Sequence, residues 1–252
     1  MDLKERLTQL IQKAKGLDAA GLIKLAQQEF GPRAAFASSL GEEDQALTDM
    51  IAKAAPAIEV FTLDTGRLFP ETYDLIAKNR QRYPQLTLKV YYPDTRAVEE
   101  MVAAKGINLF YESVENRKLC CHVRKVEPMR RALAQKDAWL SGLRRGQSLS
   151  RAQLEPVEFD QVYGKIKINP LCDWSLEQVR EYIHVHQVDV SPLHAKGFVS
   201  IGCAPCTRAI EAGEDIRAGR LWWEVADQKE CGLNNNPKWK KSQAENSKGQ
   251  NI

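Results

Sequence analysis

Residues 58–80 read IEVFTLDTGRLFPETYDLIAKNR. The apolar run 58–63 gives way to a short loop, DTGR (64–67), and then to a helical stretch from about Leu68 to Arg80. That is strand, loop, helix. The unit before it has the same order: RAAFAS (33–38), then Ser-Leu-Gly, then an acidic helix start at Glu42, Glu43 and Asp44. The unit after it runs LTLKVYY (86–92), Pro93-Asp94-Thr95, and a helix through Ala104. Strands alternating with helical stretches predict a parallel sheet with crossover helices.

Further out, residues 3–14 and 18–29 read as two short amphipathic helices, the second broken by Gly31-Pro32. Residues 117–134 form a long basic helix candidate. DAWLSGL (137–143) is the next strand and ends in a loop of Arg, Gly and Ser. YGKIKINPL (163–171) alternates and reads as an edge strand or a hairpin. Ser175 and Gln178 form a capping box for a helix near 176–186. After Pro192 the pattern is short turns and one-turn helices, and no domain boundary falls before residue 233. The loops after the first, second and fourth strands lie where open parallel sheets bind ligands.

Of the 252 residues, 43% are hydrophobic and 27% charged, ordinary for a soluble globular protein. The opening MDLKERLTQLIQKAK is an amphipathic helix pattern without the apolar core and cleavage site of a signal peptide. No apolar run is long enough to span a membrane. The formal net charge is +3. The tail 234–252 carries four lysines against Glu245, which is also +3. The remainder is formally neutral, so no general attraction to nucleic acid is indicated. The tail itself reads as a solvated, disordered end.

Six cysteines are present: Cys120, Cys121, Cys172, Cys203, Cys206 and Cys231. In a cytosolic protein they are read first as metal-binding or catalytic. Cys203-Ala-Pro-Cys206 is a tight turn that can aim two thiolates at one metal. Alone, it fits a zinc knuckle, a redox pair or plain packing. Cys120-Cys121 is less usual, because adjacent helical residues diverge by about 100°. Both can meet one centre only if the helix is distorted there or the centre is large. Small tetrahedral zinc suits that pairing poorly, whereas a cubane presents separate irons at its corners. Two plus two gives the four cysteine ligands a cubane needs. Cys172, between Leu171 and Asp173-Trp174, reads as a small buried apolar residue. Cys231 is followed by Gly232, and Lys229 favours its thiolate. A single cysteine near a C-terminus is by itself more often incidental than catalytic.

Arg124 and Lys125 stand four residues after Cys120 and Cys121, one helical turn away on the same face. Arg217 and Arg220 share a face if their turn is helical. Arg144, Arg145 and Arg151 crowd the loop after the fourth strand. Guanidinium groups make paired hydrogen bonds to oxyanions, so these sets suit a ligand with several negative oxygens. Each set alone also fits a solvated basic face.

Taken together, the cysteine pairs and KECGL (229–233) resemble the bacterial and plant assimilatory adenylyl-sulfate reductases, the iron–sulfur type within the PAPS/APS reductase family. SSLGEED (38–44), LDTGRLFPET (63–72), KLCCHVRKVEP (118–128) and SGLRRGQS (141–148) are similar to that family's successive nucleotide loops and first cluster segment. The resemblance runs from about residue 33 to 233. It implies an α/β fold of the adenine-nucleotide α-hydrolase type, with a doubly wound, mainly parallel sheet and a C-terminal segment bearing the catalytic cysteine. The organisation it implies is N-terminal helices (1–32) packed on a nucleotide-binding reductase domain (33–233), then the tail (234–252).

The resemblance also assigns roles. Ser38, Leu63 and Gly142 line the nucleotide site. Lys125, Arg151, Arg217 and Arg220 hold the phosphosulfate. Cys231 is the nucleophile, and Cys120, Cys121, Cys203 and Cys206 bind one [4Fe-4S] cluster per chain. The activity implied is cytoplasmic, thiol-dependent reduction of adenosine 5'-phosphosulfate to sulfite and AMP, within sulfate assimilation and cysteine biosynthesis. Thioredoxin or a similar dithiol is the donor; neither nucleic acid nor membrane is a partner, and a homo-oligomer stays open. The sequence departs from the family at Asn234, where a histidine usually stands. Asn donates a hydrogen bond to an oxyanion but carries no charge. The rival readings are a 3'-phospho-adenylyl-sulfate reductase, which typically lacks the cluster cysteines, and a zinc-stabilised nucleotide-binding or tRNA-modifying protein of the same fold. A non-catalytic iron–sulfur regulator would leave the three nucleotide loops without a purpose.

Overall fold

Three short, mostly apolar runs and three alternating segments become strands, because successive side chains point to opposite faces of a sheet. A computed structural model describes residues 3–148 and 151–224. Strands β1 (Ala34–Ala37), β2 (Glu59–Leu63), β3 (Leu88–Tyr91), β4 (Ala138–Leu140), β5 (Val157–Asp160) and β6 (Lys165–Ile168) form one sheet in the order β3-β2-β1-β4-β6-β5. Every neighbouring pair is parallel except β5 with β6. This is the α/β, mainly parallel sheet that the alternation of elements predicts.

Helices cover both faces. Phe36, Val60, Leu140 and Ile168 face a core shared with Leu22 and Ile23 of α2 (Ala19–Phe30) and Leu47 and Ile51 of α3 (Glu42–Ala54). Leu10 of α1 (Leu3–Ala14) joins the same core. Ala35, Phe61 and Trp139 point the other way and pack on Met129, Ala132 and Leu133 of α7 (Glu127–Leu133). Phe36 and Phe61 are wholly buried, which stabilises the fold by roughly 1.5–3 kcal/mol for each such side chain. The other helices are α4 (Pro70–Arg82), α5 (Thr95–Lys105), α6 (Val114–Cys121) and α8 (Leu176–Val185). The capping box at Ser175 and Gln178 starts α8.

The 163–171 segment supplies one strand of a hairpin whose other strand is Val157–Asp160. β6 lies inside the sheet against β4, and β5 takes the edge. The turn between them needs Gly164, whose φ is +65°.

The basic helix candidate is interrupted. Between α6 and α7 the backbone widens into a π-turn over His122–Val126, immediately after Cys120-Cys121. Such bulges re-aim the side chains around them. Both cysteines keep helical geometry at the end of α6, and the widened turn begins on the next residue.

From β1 the chain steps outward to β2 and β3, then returns to place β4 on β1's other side. The loops after β1 and β4 therefore diverge, and a crevice opens between them at the carboxyl ends of the strands. Among the described residues, no helix is long and apolar enough to cross a membrane.

Candidate active site

The crevice is a cavity of about 280 Å³. Ser38, Leu63, Lys125, Gly142, Arg151, Arg217 and Arg220, far apart in sequence, all line it. Cys231 and Asn234 lie outside the described residues.

The loop after β1 folds back on itself. Ser38 Oγ accepts from the Leu40 amide at 3.2 Å, and Leu40 takes a φ of +63°. The Asp44 carboxylate accepts from the amide and the hydroxyl of Ser39, both at 2.6 Å. It also accepts from the backbone of Gly142 in the loop after β4, so it ties the two loops together. Burial pushes its carboxyl up to about 6, overriding the hydrogen bonds that lower it.

The loop after β2 turns at Gly66, with φ +70°, and Asp64 Oδ1 accepts from the Gly66 amide at 2.7 Å. Arg124 Nη1 donates to Thr65 O at 2.7 Å, and the Ala204 amide donates to Arg67 O at 2.8 Å. This loop is thus fastened to both cysteine segments.

The three arginines after β4 separate in role. Arg144 donates through Nε and Nη2 to Glu43 at 3.0 and 2.8 Å, closing the cavity wall. Arg145 pairs with Asp173 and donates to Leu154 O at 2.6 Å, away from the cavity. Arg151 is buried in the lining. Arg217 and Arg220 do not share a helical face. Their segment is irregular, and Arg220 forms an antiparallel bridge with Thr207. Gly219 packs so closely on Arg208 that a Cβ there would lie 2.3 Å from the Arg208 carbonyl oxygen, which favours that pairing.

Cys120, Cys121, Cys203 and Cys206 surround a second, small cavity. Lys125, Arg220 and Cys203 line both cavities and form their common wall. Arg124 adds a third cation, and Arg117, paired with Glu224, lines the same cavity. Burial and then Cys203 push the Cys206 thiol up to about 12, and burial also raises Cys120. Thr65 Oγ1 stands 3.2 Å from Cys203 Sγ. Four soft sulfur donors within a ring of cations fit an anionic, thiolate-bound centre. Among the described residues, no three His, Cys, Asp or Glu side chains converge tightly enough for a single metal ion. Cys172 stays apart, buried with Leu143 and Leu154, as its apolar setting predicts.

Several contributors carry no legible sequence signal. Asp44 reads only as a helix start, and Thr65 as one residue of a turn. Gly202 reads as a neighbour of Cys203, yet the Arg220 guanidinium rests on its α-carbon.

The family model for the phosphoadenosine phosphosulfate reductase domain matches residues 33–209. The chain is 49% identical over 225 residues to the adenosine 5'-phosphosulfate reductase of Burkholderia cepacia, covering 89% of this chain and 88% of that one. It is 50% identical over 198 residues to the enzyme of the same name from Allochromatium vinosum, covering 79% and 77%. Among solved structures, the phosphoadenylyl-sulfate reductase of Candida auris superposes with a TM-score of 0.70 at 31% identity, covering 82% of this chain and 98% of that one.

Proposed function

Because the chain belongs to the phosphoadenosine phosphosulfate reductase family, we propose that it reduces adenosine 5'-phosphosulfate to sulfite and AMP by way of a sulfonate carried on Cys231. The observation that carries this reading is the shared wall of Lys125, Arg220 and Cys203 between a crevice lined by basic side chains and a four-cysteine cavity. The relatives named for this substrate support it.

The nucleotide occupies the crevice beside Ser38, Leu63 and Gly142. Lys125, Arg151, Arg217 and Arg220 face its phosphate and sulfate oxygens, where guanidinium and ammonium groups neutralise charge. The Cys231 thiolate attacks the sulfonyl sulfur. The bond from that sulfur to the phosphate oxygen breaks, and AMP leaves with the electron pair. A dithiol of the thioredoxin type then attacks Cys231 Sγ, and sulfite departs with the pair of the broken S–S bond. The donor's second thiol resolves the mixed disulfide and returns Cys231 as a thiolate. Two electrons enter from the dithiol, so the metal centre need not change oxidation state.

Cys120, Cys121, Cys203 and Cys206 hold one [4Fe-4S] cluster. Its chemistry when bound is electrostatic: a fixed anionic body that orients Lys125. Four cysteines around one cavity, two of them adjacent in sequence, favour the cluster over zinc. Residues 33–233 are the reductase domain, with the helices of 1–32 packed on it and the 234–252 tail outside it. The setting is cytoplasmic sulfate assimilation toward cysteine, with neither nucleic acid nor membrane engaged.

The test is Cys231→Ser on the anaerobically purified, brown protein. AMP binding is retained and sulfite release from adenosine 5'-phosphosulfate with thioredoxin is abolished. Sulfite production by the serine variant would defeat the proposal. Assaying the 3'-phosphorylated substrate in parallel separates the two reductase readings.

A further inference from the structure

The turn that leads into the Cys231 segment is held unusually firmly. Glu224, the last described residue, stands seven residues before Cys231. An extended chain of that length reaches at most ~25 Å, so the point where Glu224 is fixed bounds where Cys231 can be. Its carboxylate accepts from Arg117 Nε at 2.8 Å and from Nη2 at 2.9 Å. Both side chains are almost wholly buried, at 2% and 4% exposure. Arg117 comes from α6, three residues before Cys120, and lines the four-cysteine cavity.

Three further contacts hold the same turn. Leu221 donates its amide to Cys206 O at 3.0 Å and packs its side chain into that cavity. It does so at a φ of +45°, a costly conformation for leucine that persists only when the surroundings over-determine it. Trp223 stacks edge-on against Tyr111 at 4.5 Å, and Tyr111 Oη donates to Pro205 O at 2.8 Å.

A buried ion pair is a poor way to gain stability, since the desolvation of both charges offsets most of their attraction. It is a good way to fix a direction, because a bidentate arginine fork sets the carboxylate's orientation as well as its place. We propose that Arg117 and Glu224 are positioning residues: a latch on the wall of the four-cysteine cavity that fixes Glu224, the point from which the chain runs on to Cys231. The latch makes the presentation of the nucleophile depend on the integrity of the cysteine cavity. The inference rests on the proposed role of Cys231.

The experiment compares wild type, Glu224→Gln and the double variant R117M/E224L, all purified with iron. The double variant removes both charges together, so it folds where a single change leaves one charge buried. Four quantities are read: iron content, the AMP dissociation constant, the rate at which Cys231 gains sulfonate from adenosine 5'-phosphosulfate by mass spectrometry, and exchange protection of the Leu221 amide. The expected result in the iron-loaded fraction of the double variant is unchanged AMP binding, weaker Leu221 protection, and sulfonation slower by about 100-fold, the scale of a small misplacement of a reacting group. Wild-type sulfonation rates in either iron-loaded variant overturn the latch. So does a parallel loss of iron, AMP binding and sulfonation in both variants, which is what a purely structural pair gives. If wild type itself takes no sulfonate on Cys231, the proposed reaction fails, and Leu221 protection alone then decides the latch.

Discussion

The Asp44 carboxylate fills the space where a side chain at Gly142 would begin: a Cβ there would lie 2.1 Å from Asp44 Oδ1. The contact joins the loops after β1 and β4, the two that diverge to open the crevice. It requires glycine at residue 142 for closeness of approach and an acceptor at residue 44 for the donors of Ser39 and Gly142.

Gly142→Ala therefore separates the two loops. Overpacking of this kind costs about 1–3 kcal/mol. Because the strained contact lies in the nucleotide wall, AMP affinity should fall by about tenfold or more, since each 1.4 kcal/mol is a factor of ten. Isothermal titration with AMP checks this. Unchanged affinity would mean that the loops part without disturbing the nucleotide.

The same carboxyl gives a pH signature. Its folded value of about 6 lies above the ordinary 3.8 because burial disfavours the charge. The native state thus holds this proton more tightly than the unfolded chain. Ionised Asp44 destabilises the fold above pH 6, by on the order of 3 kcal/mol. That cost is relieved as pH falls through 6 toward 3.8. Asp44→Asn removes the titration. The stability of wild type minus that of the variant should rise on going from pH 7.5 to 5, followed as melting temperature. A flat difference would show that Asp44 does not titrate in this window.

The local features of the sequence are the ones that read clearly. The three strand–loop–helix units follow from apolar runs and cap residues that act within a few positions. The two cysteine pairs are legible because pairs at such spacing have few uses. What depends on distant partners is not legible. Val157–Asp160 alternates apolar and acidic residues over only four positions, too short a pattern to stand out, and it is a strand because β6 pairs with it. The helical turn that would put Arg217 and Arg220 on one face is replaced by an irregular segment with the Thr207–Arg220 bridge. Nothing in HVRKV (122–126) announces a π-turn. Only the need for Cys120 and Cys121 to meet one centre implies a distortion, and that need is stereochemical rather than a propensity.

The cysteine cavity makes its own prediction when iron is removed. Without a metal, burial favours the protonated form of Cys206, its thiol pushed up to about 12. At pH 8 only about one in 10,000 molecules would carry the reactive thiolate. In chelated, iron-free protein, Cys206 should resist iodoacetamide far longer than a free thiol does. Peptide mapping over a time course checks this. Rapid alkylation would mean that the cavity opens when emptied. Cys120→Ser or Cys203→Ser should leave iron well below about four atoms per chain, and full iron in either would remove that residue from the ligand set.

Gly202 tests the wall shared by the two cavities. A Cβ on it would sit 2.3 Å from Arg220 Nη2 and 2.5 Å from Cζ, so the whole guanidinium lies against this α-carbon. Arg220 is also held by Ile201 O at 3.0 Å and Ser200 Oγ at 3.3 Å, which leaves it little room to move aside. Gly202→Ala should push the guanidinium off the wall and raise KM for adenosine 5'-phosphosulfate by about tenfold, the loss of one charge-assisted hydrogen bond. Gly202 also precedes Cys203, so a disturbed cysteine turn could produce the same loss by another route. The double variant G202A/R220A separates the two. If Gly202 acts through Arg220, removing Arg220 first leaves Gly202→Ala with almost nothing further to do, and the two effects on kcat/KM fall short of adding. If it acts through the turn, they add in full, and iron content falls as well.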